Sequence, residues 1–193
     1  MSVPALVALA PVLAVVAVAI RLESGGPVFF RQVRVGLHGQ PFRIHKFRSM
    51  RQGFPGGEVT IAGDLRVTRV GRFLRAWKLD ELPQLIDVAT GAMSLVGPRP
   101  EVPAYVALWP AAEREIILSV RPGITDPASV LFRNESELLA GVDDPESYYV
   151  DVLLPQKVRL YAEYVRTRTL VGDLRVIGRT IAAVLGRDPT TAR

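Results

Sequence analysis

The chain contains no cysteine. A disulfide scaffold, Cys-ligated zinc, an iron–sulfur cluster and a thiol nucleophile are therefore excluded. Histidine is almost missing too. His38 and His45 are the two present, so one chain cannot build a multi-histidine metal site, and a Ser-His-Asp hydrolase would have to use one of them. Aromatic residues are few, at seven Phe, five Tyr and two Trp, and no recognition motif accompanies them. Stacking platforms are poorly supported, and no nucleic-acid partner is expected. Ionisable side chains are absent from residues 1–20, the first being Arg21.

Against these absences stand 193 residues, 49% of them hydrophobic, which excludes a disordered chain and suffices for one core of ordinary size. A net charge of +5 favours an anionic partner: phosphates, an acidic membrane surface or nucleic acid. Charge alone does not choose among them. Beyond residue 25 the composition is that of a mixed globular sequence, so the chain reads as a head attached to a membrane.

Three readings compete for residues 1–20. A spanning helix needs about 20 apolar residues, but Pro11 interrupts the run, removing a helical hydrogen bond and crowding the preceding turn. A signal peptide would use Ala17-Val18-Ala19 for cleavage, yet no Lys or Arg precedes the apolar stretch. In the third reading Pro11 breaks the helix, which dips into one leaflet and returns. Arg21, Arg31 and Arg34 then place the head on the cytoplasmic side.

Residues 27–35 and 41–48 are β-branched and aromatic around a Gly36–Gln40 turn, which predicts a basic β-hairpin over 27–48. A glycine-rich mobile loop is expected over 51–64. From Val67 to Ala89 the periodicity is helical. Residues 96–103 are proline-rich and must be extended or turn-like. Helices are expected at 111–120 and near 133–140, 146–153, 156–168 and 172–185. The segment 156–187 carries seven Lys/Arg against Glu163 and Asp173, which suits amphipathic helices on an anionic surface, although a solvated basic face is the usual explanation.

The pair Asp80-Glu81 admits two readings. Asp80 fits a helix N-cap, with Pro83 in the first turn and Glu81 complementing the dipole. On spacing alone, capping is favoured. The same position also holds a carboxylate ionised and lets its neighbour recruit a divalent cation, giving an aspartyl nucleophile for a phosphoryl centre. Lys46, Arg48, Arg72 and Arg75 are ordinary surface cations on base rates. Arg99 and Arg121 lie in the proline turns Gly97-Pro98-Arg99-Pro100 and Val120-Arg121-Pro122-Gly123, and such guanidinium groups start from a fixed backbone and suit bidentate phosphate binding. His45 reads as structural.

Taken together, the motifs resemble the bacterial sugar transferases, the monotopic polyprenyl-phosphate hexose-1-phosphate transferases. The blocks are Gly26–Gln32, Phe42–Met50, Arg66–Arg75, Leu79–Leu85, Met93–Pro100 and Val120–Thr125. The resemblance implies a re-entrant helix broken at Pro11 and an active site at the cytoplasmic face of the bacterial inner membrane. It implies that Asp80 attacks the β-phosphate of a UDP-sugar, releasing UMP, and that polyprenyl phosphate then takes the phosphosugar. Glu81 would hold Mg²⁺, while Lys46, Arg75, Arg99 and Arg121 would offset phosphate charge. Departures are Ala10, where the family often has Ser, and Asp126-Pro127-Ala128-Ser129, where Gly-Trp-Ala-Gln is commoner. The family also has a basic and aromatic segment before its apolar helix, where ten residues precede Pro11 here.

The expected architecture is α+β and mainly helical: a re-entrant membrane helix over 1–21, a cytoplasmic catalytic domain over 22–185 with a small β-hairpin and amphipathic surface helices, and a flexible tail over 186–193. Two other function classes are compatible with composition. One is a non-catalytic basic protein that binds anionic lipid at a membrane surface, and the other a secreted nucleic-acid binder.

Overall fold

The computed structural model describes residues 2–51, 53 and 59–186. Part of the loop expected over 51–64, and all but Gly186 of the expected tail, lie outside the described residues. Helix α1 runs from Ser2 to Ser24, three residues past the expected boundary, and stays helical through Pro11. At 1.5 Å per residue it is about 34 Å long, enough to cross a hydrocarbon core. It is the one helix among the described residues long and apolar enough to do so.

The apolar surface of α1 is used unequally. Most of it is exposed, but Ile20 is buried with Phe47 and Leu74, and Leu13, Val16 and Ala17 pack against that cluster. The end of the helix is therefore built into the head. Arg48, itself buried, donates to Ser24 Oγ at 2.7 Å and to the Gly25 carbonyl. Glu23 accepts backbone N–H bonds from Arg69 and Val70 at 2.7 and 2.9 Å. A signal peptide cut after Ala19 would take Leu13, Val16 and Ala17 out of this packing.

The expected hairpin forms as two short antiparallel pairs. Strands β1 (Phe29–Phe30), β2 (Val33–Val35), β3 (Pro41–Arg43) and β4 (Lys46–Phe47) pair β1 with β4 and β2 with β3. The register sets Phe30 opposite Lys46 and Val33 opposite Arg43. His45 falls in the gap before β4 and bonds elsewhere.

The helical pattern over 67–89 resolves into three pieces. These are α2 (Arg69–Ala76), a 3-10 turn at Leu79–Glu81 and α3 (Gln84–Ala89). Lys78 makes the break, taking a left-handed conformation at φ 53° that few non-glycine residues adopt. Next come β5 (Ser94–Val96), α4 (Pro103–Ala107), α5 (Ala111–Leu118) and β6 (Gly123–Thr125). The parallel pairing of β5 with β6 was not legible in sequence, since each is three residues long and they are far apart. Helices α6 (Pro127–Leu131), α7 (Glu135–Ala140) and α8 (Pro145–Tyr148) follow, then a π-helical turn at Tyr149–Leu153, α9 (Leu154–Thr167) and α10 (Leu170–Val184). Helices α4 and α6 were not anticipated.

The main core lies among α4, α5, α6, α7, the π turn and α9, with Trp109, Ile117, Ala128, Leu139, Leu153 and Tyr161 at its centre. Helix α10 sits outside it. Its Thr180 hydroxyl meets Thr125 of β6 at 2.6 Å, while Leu170, Val171, Leu174 and Ile181 stay exposed. That is the amphipathic surface helix expected from its composition.

Candidate active site

The Lys78 reversal turns the chain so that Asp80 and Glu81 point inward, and both are buried. The capping expectation for Asp80 is corrected. Pro83 occupies the N-cap position of α3, and no side chain caps that helix. The Asp80 carboxylate instead faces Lys46, whose ammonium lies 2.8 Å from Oδ2. Its other oxygen, Oδ1, is buried without a hydrogen-bond partner. A carboxylate oxygen in the interior without a partner is costly, so a group that reaches it gains a bond without breaking one.

Glu81 is held from two sides. Arg99 donates to Oε1 at 2.7 Å and to Oε2 at 3.3 Å, and Lys46 reaches Oε1 at 3.3 Å. Burial opposes the Glu81 charge, yet Arg99 and Lys46 hold its carboxyl well below the ordinary carboxylate range. Reciprocally, Glu81 keeps Arg99 well above its usual value. Two carboxylates and two cations thus form one compact, charge-balanced cluster.

Two devices fix the surrounding backbone. Asp87 on α3 accepts from the His45 backbone N–H at 2.9 Å and from its ring Nδ1 at 2.7 Å, which ties the strand carrying Lys46 to the helix following Glu81. His45 is therefore structural, as its alternation suggested. Arg99 and Arg121 are set by β5 and β6. The Gly97 N–H donates to Thr125 and the Gly123 N–H to Pro98, and a Cβ on Gly123 would lie 2.1 Å from the Gly97 nitrogen. Only paired glycines allow the two proline turns to approach this closely. Arg121 is exposed on the second turn.

The cluster thus unites Lys46, Asp80, Glu81 and Arg99 from three separate stretches of sequence. It does not include Arg75, which is half-buried in the last turn of α2 and near enough to Asp64 to lower that carboxyl, after the Arg66 hydrogen bond and against burial. Lys78, whose backbone makes the break, is itself exposed. For a metal, Asp80 and Glu81 are the carboxylates available. Magnesium commonly takes one or two carboxylates plus substrate phosphates, and the adjacent Asp80 and Glu81 fit that donor set.

The sequence model of the bacterial sugar transferase family matches residues 1–187. The chain belongs to that family. Among its relatives is the UDP-glucose:undecaprenyl-phosphate glucose-1-phosphate transferase of Caulobacter vibrioides, 43% identical over 93% of this chain and 64% of the relative. The Escherichia coli protein of the same description is 38% identical over 91% of this chain and 36% of its own length. The exopolysaccharide production protein PSS of Rhizobium leguminosarum is 35% identical and matches over 96% of this chain and 92% of its own. The chain thus spans under two thirds of the first two relatives.

Proposed function

We propose that the chain transfers a sugar-1-phosphate from a UDP-sugar to polyprenyl phosphate, through a covalent intermediate on Asp80. The observation that carries this reading is the buried Asp80 carboxylate, gripped through Oδ2 by Lys46 while Oδ1 has no hydrogen-bond partner. Supporting it, relatives are described as transferases of glucose-1-phosphate or of N-acetylgalactosamine phosphate to undecaprenyl phosphate.

In the first half-reaction Asp80 Oδ1 attacks the β-phosphorus of the UDP-sugar. A carboxylate–phosphorus bond forms, the bridging oxygen–phosphorus bond breaks, and UMP leaves with that oxygen. In the second, an oxygen of polyprenyl phosphate attacks the same phosphorus and returns Asp80 as a carboxylate, giving a diphosphate-linked sugar. Lys46 holds Asp80 in place. Arg99, released from Glu81 when a diphosphate arrives, and Arg121 on the neighbouring turn offset its charge, as phosphoryl transfer requires. Bound magnesium, carried by Glu81 with Asp80 beside it, would supply further positive charge to the diphosphate.

Helix α1 dips into the cytoplasmic leaflet of the bacterial inner membrane and returns, bent at Pro11. The exposed apolar rows of α2 and α10 rest on the same surface. Cysteines placed at Ala5 and Leu22 should then both react with a membrane-impermeant reagent from the cytoplasmic side. Labelling of Ala5 from the opposite side would establish a spanning helix instead.

The decisive assay is UMP release from a panel of UDP-sugars in detergent, with Mg²⁺ and polyprenyl phosphate. Release is expected with at least one sugar, and Asp80→Asn should lower it by at least ~1000-fold with the fold intact. Persistent activity in that variant would sink the covalent route. Silence from folded protein that still binds membranes would favour a non-catalytic binder of anionic lipid.

A further inference from the structure

Behind Arg99 runs a second set of charges that the chemistry above does not use. Glu101 follows the Pro98–Pro100 turn and is only 4% exposed. Its Oε1 accepts from the Tyr149 hydroxyl at 3.2 Å, and its Oε2 lies 3.5 Å from Arg34 Nη1. Arg34 also donates to the Pro100 carbonyl at 3.1 Å, and the Val35 N–H donates to the Glu101 carbonyl at 3.0 Å. Beyond Tyr149 stands Lys157, 5% exposed, with its ammonium 4.7 Å from the ring centre and 3.5 Å from the hydroxyl. Lys157 in turn pairs with Glu135 of α7. One chain of contacts therefore joins β2, the Arg99 turn, the π turn, α9 and α7.

Burying charges is a poor way to gain stability, because desolvation consumes the attraction and apolar replacements are often neutral or better. What such a network does supply is a defined geometry for the backbone it grips. Here that backbone carries Arg99. We propose that Glu101 is a positioning residue for Arg99: anchored by Tyr149 and Arg34, it holds the Pro98–Pro100 turn so that the guanidinium meets the diphosphate without a search. The inference deepens the proposed function and rests on it. Burial first, then Glu101 and Glu135, push the Tyr149 hydroxyl far above its ordinary range, so it stays a hydrogen donor throughout the working pH range.

A double-mutant cycle on the full chain in detergent tests the idea. UDP affinity is read by calorimetry and the thermal midpoint alongside. Glu101→Leu should weaken UDP binding about tenfold in the native background and less than about twofold in the Arg99→Ala background. Glu101→Gln, which keeps an acceptor for Tyr149, should retain affinity within about threefold. Should Glu101→Leu fail to fold, Tyr149→Phe removes only the hydroxyl and should cost about threefold, again erased by Arg99→Ala. Equal losses in both backgrounds, or unchanged UDP affinity, would overturn the assignment. A native chain that binds UDP but releases no UMP would defeat the transferase reading while leaving the cycle readable. One that binds no UDP defeats both.

Discussion

Glu81 faces two cations at once, and that arrangement has a pH signature. Its folded-state pKa lies well below the ordinary value of 4.5, with burial opposing and Arg99 and Lys46 enforcing the shift. A depressed carboxyl contributes stability that is complete above its unfolded pKa and is lost as pH falls through the folded one. Denaturant titrations from pH 7 downward should therefore show stability falling in the acid range below about 4.5, and Glu81→Gln should flatten that part of the curve. Lys46 bears on chemistry more directly. Lys46→Met should lower UMP release by about 100-fold or more, since it leaves Asp80 buried without its counter-charge. Arg48, by contrast, is spent on the end of α1 and should affect folding and membrane docking more than turnover.

At the scale of elements, the site depends on close backbone contacts that no side chain can replace. A Cβ on Gly123 would sit 2.1 Å from the Gly97 nitrogen, and one on Gly71 would sit 2.0 Å from the Ser49 carbonyl oxygen. Both meet backbone, which cannot swing aside. Gly123→Ala and Gly71→Ala should each destabilise by about 2 kcal/mol or more, seen as a lowered thermal midpoint. Gly123→Ala should also lower activity beyond what the lost stability explains, because it separates the Arg99 and Arg121 turns. The Asp87 clamp on His45 acts at the same scale. Asp87→Ala should release β4 from α3 and weaken the grip of Lys46 on Asp80.

Three helices of the molecule leave apolar side chains exposed. Helix α1 exposes most of its length, Phe73 of α2 and Trp77 just after it are exposed with ring centres 6.4 Å apart, and α10 exposes Leu174 and Ile181 near Arg175 and Arg179. Helix α10 is also tied to β6 through Thr125 and Thr180, so a helix with an exposed apolar row touches the strand that follows Arg121. Replacing Leu174 and Ile181 by Asp should weaken binding to anionic vesicles about tenfold, with the circular dichroism unchanged. Added salt should weaken native binding as well.

Read alone, the chain already supplied the local and compositional features: the uncharged first twenty residues, the turn at Gly36–Gln40, the four late helices and the pairing of Asp80 with Glu81. Each depends on nearest neighbours or on one residue type, and short-range patterning records those faithfully. What the fold decided was long-range. Asp80 abandons a capping role because Lys46, from a strand over thirty residues earlier, offers an opposite charge in the interior. The parallel contact of β5 with β6, the His45 clamp and the Glu101 network likewise join segments with no common periodicity. Their free energy comes from burial and from charges brought together out of water, and neither exists until the chain has closed.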